Sequence, residues 1–99
     1  MAQFDVYRVR GNVLVLDCQS DLLSSLTSRF VVPLRRSESE APTPTRRLTP
    51  TFDIAGERYV MMTPIARSID RRDIEATVAS LAVREYEIKA AIDFLTGGI

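Results

Sequence analysis

The chain is predicted to be a mainly β domain that ends in one helix. Short apolar runs recur from Gln3 to Ile69, some of them alternating with polar residues as a half-buried strand does. Paired turn residues, Gly11-Asn12 and Ala55-Gly56, separate several of these runs. Helical periodicity is confined to the last nineteen residues, Leu81 to Ile99. Together these features predict five or six strands followed by a C-terminal helix, in one domain over residues 1–99.

Gln3 to Val9 is the first strand, with Phe4 and Val6 on one face and Asp5 and Tyr7 on the other. Gly11-Asn12 has the chemistry of a two-residue hairpin turn. Val13-Leu14-Val15-Leu16 is apolar without alternation, as a strand covered on both faces would be. From Asp17 to Ser28 polar residues surround Leu22, Leu23 and Leu26. Two readings stand here: a loop whose leucines tuck into the core, or an exposed Leu22-Leu23 patch available to a partner. Phe30 to Leu34 is the next strand, and Pro33, which has no N–H, belongs at an edge or a bulge.

Arg35 to Pro50 has a loop's composition, with Pro42, Pro44 and Pro50 among serines, threonines, glutamates and two arginine pairs. Sixteen residues is long for a connection in a compact domain, so flexibility or function is expected there. Thr51–Ile54 and Arg58–Met62 are strands around Ala55-Gly56, and Ile65–Ile69 adds a short one. Asp70-Arg71-Arg72-Asp73 is a polar corner, where an aspartate caps a short helical turn running to Val78.

The helix is unusual in having two apolar stripes, where a surface helix has one. At about 100° per residue, Leu81, Ile88, Ala91, Ile92 and Leu95 share one side, and Val83, Tyr86, Ala90 and Phe94 nearly the opposite one. Glu85, Lys89 and Asp93 fill one flank at i,i+4 spacing with alternating sign. Arg84 and Glu87 fill the other. One stripe suits the protein's own sheet; the second needs more of the same fold or another chain. Gly97-Gly98 stops the helix and leaves Ile99 as an apolar end.

Composition narrows the function. Thirteen basic and thirteen acidic side chains cancel, so no general attraction to nucleic acid or membrane is implied. No basic region precedes a long apolar run at Met1 to Asp5, and no stretch approaches the roughly 18 residues of a membrane span, so a cytoplasmic protein is expected. Cys18 stands alone in an apolar run and is expected to be a buried thiol. Histidine is absent, which removes Ser-His-Asp and Cys-His chemistry and the commonest metal ligand. No cofactor or metal is expected, and a binding protein is favoured over an enzyme.

Particular residues carry a resemblance to a known family. They are Gln3-Phe4-x-Val6-Tyr7, Asp17-x-Gln19-Ser20-Asp21-Leu22-Leu23, Arg29 and Val32-Pro33-Leu34. Met61-Met62-Thr63, Arg84-Glu85, Ile88-Lys89, Ala91-Ile92 and Gly98-Ile99 complete the ordered set. In this set the chain resembles the CcdB family, the toxins of type II toxin–antitoxin modules. Residues 2–34 and 51–99 carry the likeness, and 35–50 do not.

The resemblance implies an SH3-like barrel of the CcdB/MazF type, assembled as a homodimer. It implies binding to the A subunit of DNA gyrase, trapping of the DNA-cleaved complex, and neutralisation by a CcdA-like antitoxin with transcription autoregulation. By position it assigns gyrase contact to Leu22, Leu23, Gly98 and Ile99. The family's toxic members end in Trp-Gly-Ile after an aromatic, with an asparagine one turn earlier. Here Gly97, Thr96 and Asp93 stand at those positions. A lost interfacial tryptophan costs about 2 kcal/mol or more, so gyrase affinity is expected to be lower by at least roughly thirtyfold.

Two other readings use the same residues. A MazF-like endoribonuclease would work with Arg29, Arg46 or Arg47 and a nearby threonine. A non-toxic relative would only bind antitoxin or act as a co-repressor. In each case Arg46 and Arg47 are the places where an acidic antitoxin tail is expected to lie.

Overall fold

A computed structural model describes residues 1–37 and 46–98. Ile99 and half of the predicted flexible loop, residues 38–45, lie outside the described residues. The strands are β1 (Asp5–Val9), β2 (Val13–Asp17), β3 (Ser28–Arg36), β4 (Thr51–Ile54), β5 (Glu57–Met61), β6 (Arg67–Asp70) and β7 (Ile74–Ser80). Helix α1 (Glu85–Gly97) follows. All pairings are antiparallel, in the order β4-β5-β3-β2-β1-β7, with β6 beside β3. The expected mainly β fold with one C-terminal helix is thus present, as a half-barrel of antiparallel strands.

Strand β3 organises the sheet. It pairs with β2 along one side, and on the other with β6 through Ser28–Val31 and then β5 through Leu34–Arg36. Pro33 falls in the gap between those two partners. Its carbonyl accepts from Met62 N–H at 2.9 Å, so the side of β3 where its missing N–H would point has no strand to receive it. The proline therefore sits in a central strand, at neither an outer edge nor a bulge, and costs no ladder bond.

Both faces of the β1-β2-β3 centre are covered, as the unalternating run in β2 implies. One face contributes Phe4, Val6, Leu16, Cys18, Val32 and Leu34 to the main core with Phe52, Ile54, Met61, Leu81, Ile88 and Ala91. The other contributes Tyr7, Val9, Val15 and Val31 to a smaller cluster. Tyr7, assigned to the polar face of β1, is fully buried there.

Two local expectations are corrected. Ile74–Ser80 is a strand on β1 and not a helical turn to Val78, which makes seven strands among the described residues. Asp70 does cap a 3-10 turn, accepting from Arg72 N–H, but that turn ends at Asp73. The first hairpin is also longer than Gly11-Asn12 alone. Val9 pairs with Val13, and three residues cross between them, with φ of 90° at Gly11 and 60° at Asn12.

The helix begins later than its periodicity suggests. Ala82–Arg84 is a 3-10 turn, and Leu81 donates its N–H to Phe4 O at 2.8 Å just before it. Ile88 and Ala91 are buried in the main core, Ile92 packs against it, and Leu95 is half exposed where that contact runs out. Both flanks are paired: Arg84 to Glu87 at 2.6 Å and Lys89 to Glu85 at 3.3 Å. The Arg84 guanidinium also lies 4.9 Å over the Phe52 ring, and Lys89 lies 5.9 Å over Phe4. Gly98, at φ 73°, closes the helix with its N–H on Phe94 O. No helix among the described residues is long and apolar enough to cross a membrane.

At the β4-β5 hairpin, Ala55 and Gly56 both have positive φ, 52° and 80°, as a tight turn matching the strand twist requires. A Cβ in that region costs roughly 1–2 kcal/mol, partly offset by the greater entropy that glycine loses on folding. Ala55→Gly is therefore predicted to raise stability by up to about 1 kcal/mol, read as a higher urea midpoint at unchanged slope.

Candidate functional site

Among the described residues, the most exposed large apolar side chains, Leu22, Val83 and Tyr86, fall on two surfaces. The first is the 3-10 turn Asp21–Leu23, between β2 and β3. Leu22 is 94% exposed and Leu23 50%, so the reading in which these leucines tuck into the core is excluded. The turn is tightly tied for so exposed a segment. Ser20 Oγ accepts from Leu22 N–H at 3.2 Å, and Ser20 O accepts from Leu23 N–H at 2.9 Å. The Asp21 carboxylate accepts from Gln3 N–H at 2.8 Å. Gln19 Nε2 donates to Leu23 O at 2.9 Å.

Below the turn lies a buried polar cluster whose pairing the sequence does not announce. Asp17 Oδ2 accepts from Arg29 Nη2 at 2.6 Å, Arg29 Nε at 3.0 Å and Tyr7 Oη at 2.5 Å. Asp17 Oδ1 accepts from Gln19 N–H at 2.9 Å, and Gln19 Oε1 from Phe30 N–H at 2.9 Å. Both charged side chains are wholly shielded from solvent. Arg29 Nη1 is buried without a partner among the described residues. Strand alternation holds the signal that could have found the pair. Tyr7, Val15, Asp17, Arg29 and Val31 share one face once β1, β2 and β3 are in register.

This burial shapes acid–base behaviour. Desolvation first, and then the hydrogen bond to Asp17, push the Tyr7 hydroxyl well above its ordinary value. Burial, reinforced by the Asp17 charge, pushes the Cys18 thiol up to about 12, so it is an inert core group.

The second surface is the outer side of α1. Val83 is 93% exposed and Tyr86 84%, while Ala90 and Phe94 are half-buried. The Arg47 guanidinium lies 4.6 Å over the Phe94 ring. Two grooves run beside this face. Arg46, Arg47, Pro50, Arg84, Tyr86 and Ala90 line one. Arg47, Tyr86, Lys89, Asp93, Thr96 and Gly97 line the other. The positions that depart from the family's terminal pattern therefore share a groove with Arg47. Gly98 is exposed just beyond it. The described hydrogen bonds of the leucine turn run to the N-terminal segment, to the Gln19 side chain and to residues 20–26 around it, and none runs to α1. Among the described residues no cluster of three acidic or cysteine side chains is placed to hold a metal.

The structure is similar to that of Mycobacterium tuberculosis toxin MazF-mt6, with TM-score 0.75 at 15% identity over 94% of this chain and 96% of that one. It is also similar to a structure described as an Mtb toxin, with TM-score 0.71 at 16% identity over 88% and 94%. An endoribonuclease from a mycobacterial species matches with TM-score 0.70 at 14% identity over 98% and 91%. At such identities the likeness establishes the fold. Residues 3–98 match the family model of the CcdB protein. The chain belongs to the CcdB family of toxin–antitoxin toxins.

Removing one partner of the buried pair strands the other as a bare charge. Asp17→Ala is predicted to cost about 3–5 kcal/mol in urea unfolding. Alkali acts through Tyr7 and Cys18. The unfolded chain releases their protons near the ordinary values of 10.0 and 9.0, whereas the folded chain keeps them to higher pH. The folded state therefore binds more protons in that window. Stability is fully present below about pH 9 and falls as pH rises towards 12. Urea midpoints between pH 7 and 11 check this, and Tyr7→Phe is predicted to flatten the fall.

Proposed function

We propose that the chain is a gyrase-directed toxin that acts by binding and performs no bond chemistry of its own. As a homodimer it binds the A subunit of DNA gyrase and holds the DNA-cleaved complex until a CcdA-like antitoxin removes it. The observation that carries this reading is Leu22, almost wholly exposed on a turn tied down at both ends. An apolar side chain held rigidly in water is the usual form of an interface anchor, since little ordering remains to be done on docking. Leu22 and Leu23, with Gly98 and Ile99 at the end of the chain, form the gyrase contact.

The homodimer is supported by the open side of α1. Among the described residues nothing covers Val83 and Tyr86, and a second copy would supply that cover. Arg46 and Arg47, beside the groove along α1, receive the acidic antitoxin. The catalytic alternative loses one of its suspects, because Arg29 is sealed in its pair with Asp17 and has no route to an RNA phosphate.

Position 97 has room for the missing anchor. A Cβ built there meets nothing within 4 Å, and the residue is helical. In a pull-down with the gyrase A dimerisation domain, the chain is predicted to be retained. Leu22→Ala with Leu23→Ala is predicted to weaken binding at least roughly thirtyfold, and Gly97→Trp to strengthen it by a similar factor. Sedimentation at micromolar concentration is predicted to show a dimer. Failure to bind gyrase with normal growth on induction would favour the partner-binding relative. Cleavage of single-stranded RNA without metal would favour the endoribonuclease.

A further inference from the structure

Leu22 and Leu23 project from three residues of 3-10 turn, too short a segment to hold its shape alone. Its rigidity must come from what its backbone is tied to. The Leu23 carbonyl is the central tie. It accepts from Leu26 N–H at 3.1 Å on one side and from Gln19 Nε2 at 2.9 Å on the other. Gln19 is itself nearly buried, and its other two hydrogen bonds lead inward. Its Oε1 accepts from Phe30 N–H in β3, and its N–H donates to Asp17 Oδ1. Asp17 is locked in turn by Arg29 and Tyr7. A continuous line of hydrogen bonds thus runs from the buried ion pair to the backbone under the exposed leucines.

We infer that Gln19 is a positioning residue for partner binding, the strut through which the Asp17–Arg29 pair presents Leu22 and Leu23 in a docking-ready geometry. This rests on the reading of those leucines as the gyrase contact. Gln19 touches no partner. It acts by removing freedom that the free turn would otherwise lose on docking, and two apolar anchors ordered in advance correspond to about tenfold in affinity. Asparagine at this position is too short to reach both β3 and Leu23, and glutamate keeps the acceptor for Phe30 N–H but loses the donor to Leu23.

Amide hydrogen exchange on the full-length chain, followed by NMR, tests the inference. In the wild-type protein the Gln19 side-chain amide protons are expected to be protected from solvent; rapid exchange there would overturn the inference without any variant. Gln19→Met is expected to speed exchange of the Leu23, Ser24 and Leu26 amides about tenfold while Val15 and Val32 keep their protection. Equal loss across the sheet would show a merely structural role and overturn it. So would an unchanged turn. Gln19→Glu, which keeps the β3 bond, is expected to loosen the same three amides and serves where Gln19→Met does not fold. Affinity for the gyrase A dimerisation domain is expected to fall about tenfold in either variant, and a loosened turn with full affinity would contradict the positioning role. A wild-type chain that ignores gyrase sinks the gyrase reading alone, since the exchange data still decide whether Gln19 holds the turn.

Discussion

A carboxylate and a guanidinium withdrawn together from water hold each other in place, because parting them leaves an uncompensated charge in an apolar setting. Asp17 and Arg29 are such a pair, at the ends of adjacent strands on the smaller of the two covered faces. Asp17 Oδ2 takes three donors and Oδ1 a fourth, so the position of the carboxylate is specified from β1, β3 and the chain leaving β2 at once. Pairs of this kind contribute little net stability compared with packed hydrocarbon. What they supply here is geometry. The segment between β2 and β3 leaves the sheet with its backbone already tied, and the apolar turn it carries stands rigidly in water.

The other surface has a different physical origin. Helix α1 is seated by Ile88 and Ala91 and flanked by charged side chains lying over Phe52 and Phe4, which leaves Val83 and Tyr86 exposed among the described residues. Residues from the segment before β4 reach this face, where Arg47 covers the Phe94 ring. One groove there collects Asp93, Thr96 and Gly97, three positions that differ together from the family's terminal pattern. Thr96 and Gly97 are smaller than the aromatic and tryptophan of that pattern and leave the groove open.

Much of the architecture was legible. The Ala55-Gly56 hairpin, the unalternating β2 and the two-striped helix each follow from local chemistry that tertiary contacts did not override. Strand β7 was not legible. Its half-buried residues include the small Ala76 and Ala79, and register shifts against β1 break the two-residue period that would have marked it. The site was readable in part. Leu22 and Leu23 stood out as a pair, but only the ties at Gln3 and Gln19 decide that they face outwards. The Asp17–Arg29 contact depends on strand register, which no local window contains. Ile99 lies outside the described residues, so its place beside the leucines rests on the resemblance.

A tied leucine turn that meets the partner must register the contact in its own side chains. Methyl-labelled protein titrated with the gyrase A dimerisation domain tests it most directly, through the NMR signals of Leu22 and Leu23. These methyls are expected to shift or broaden first, together with residues at the end of α1, while the buried Leu16 and Ile88 methyls stay unmoved. Saturating perturbation confined to other surfaces, with the Leu22 and Leu23 signals unaltered, would contradict it.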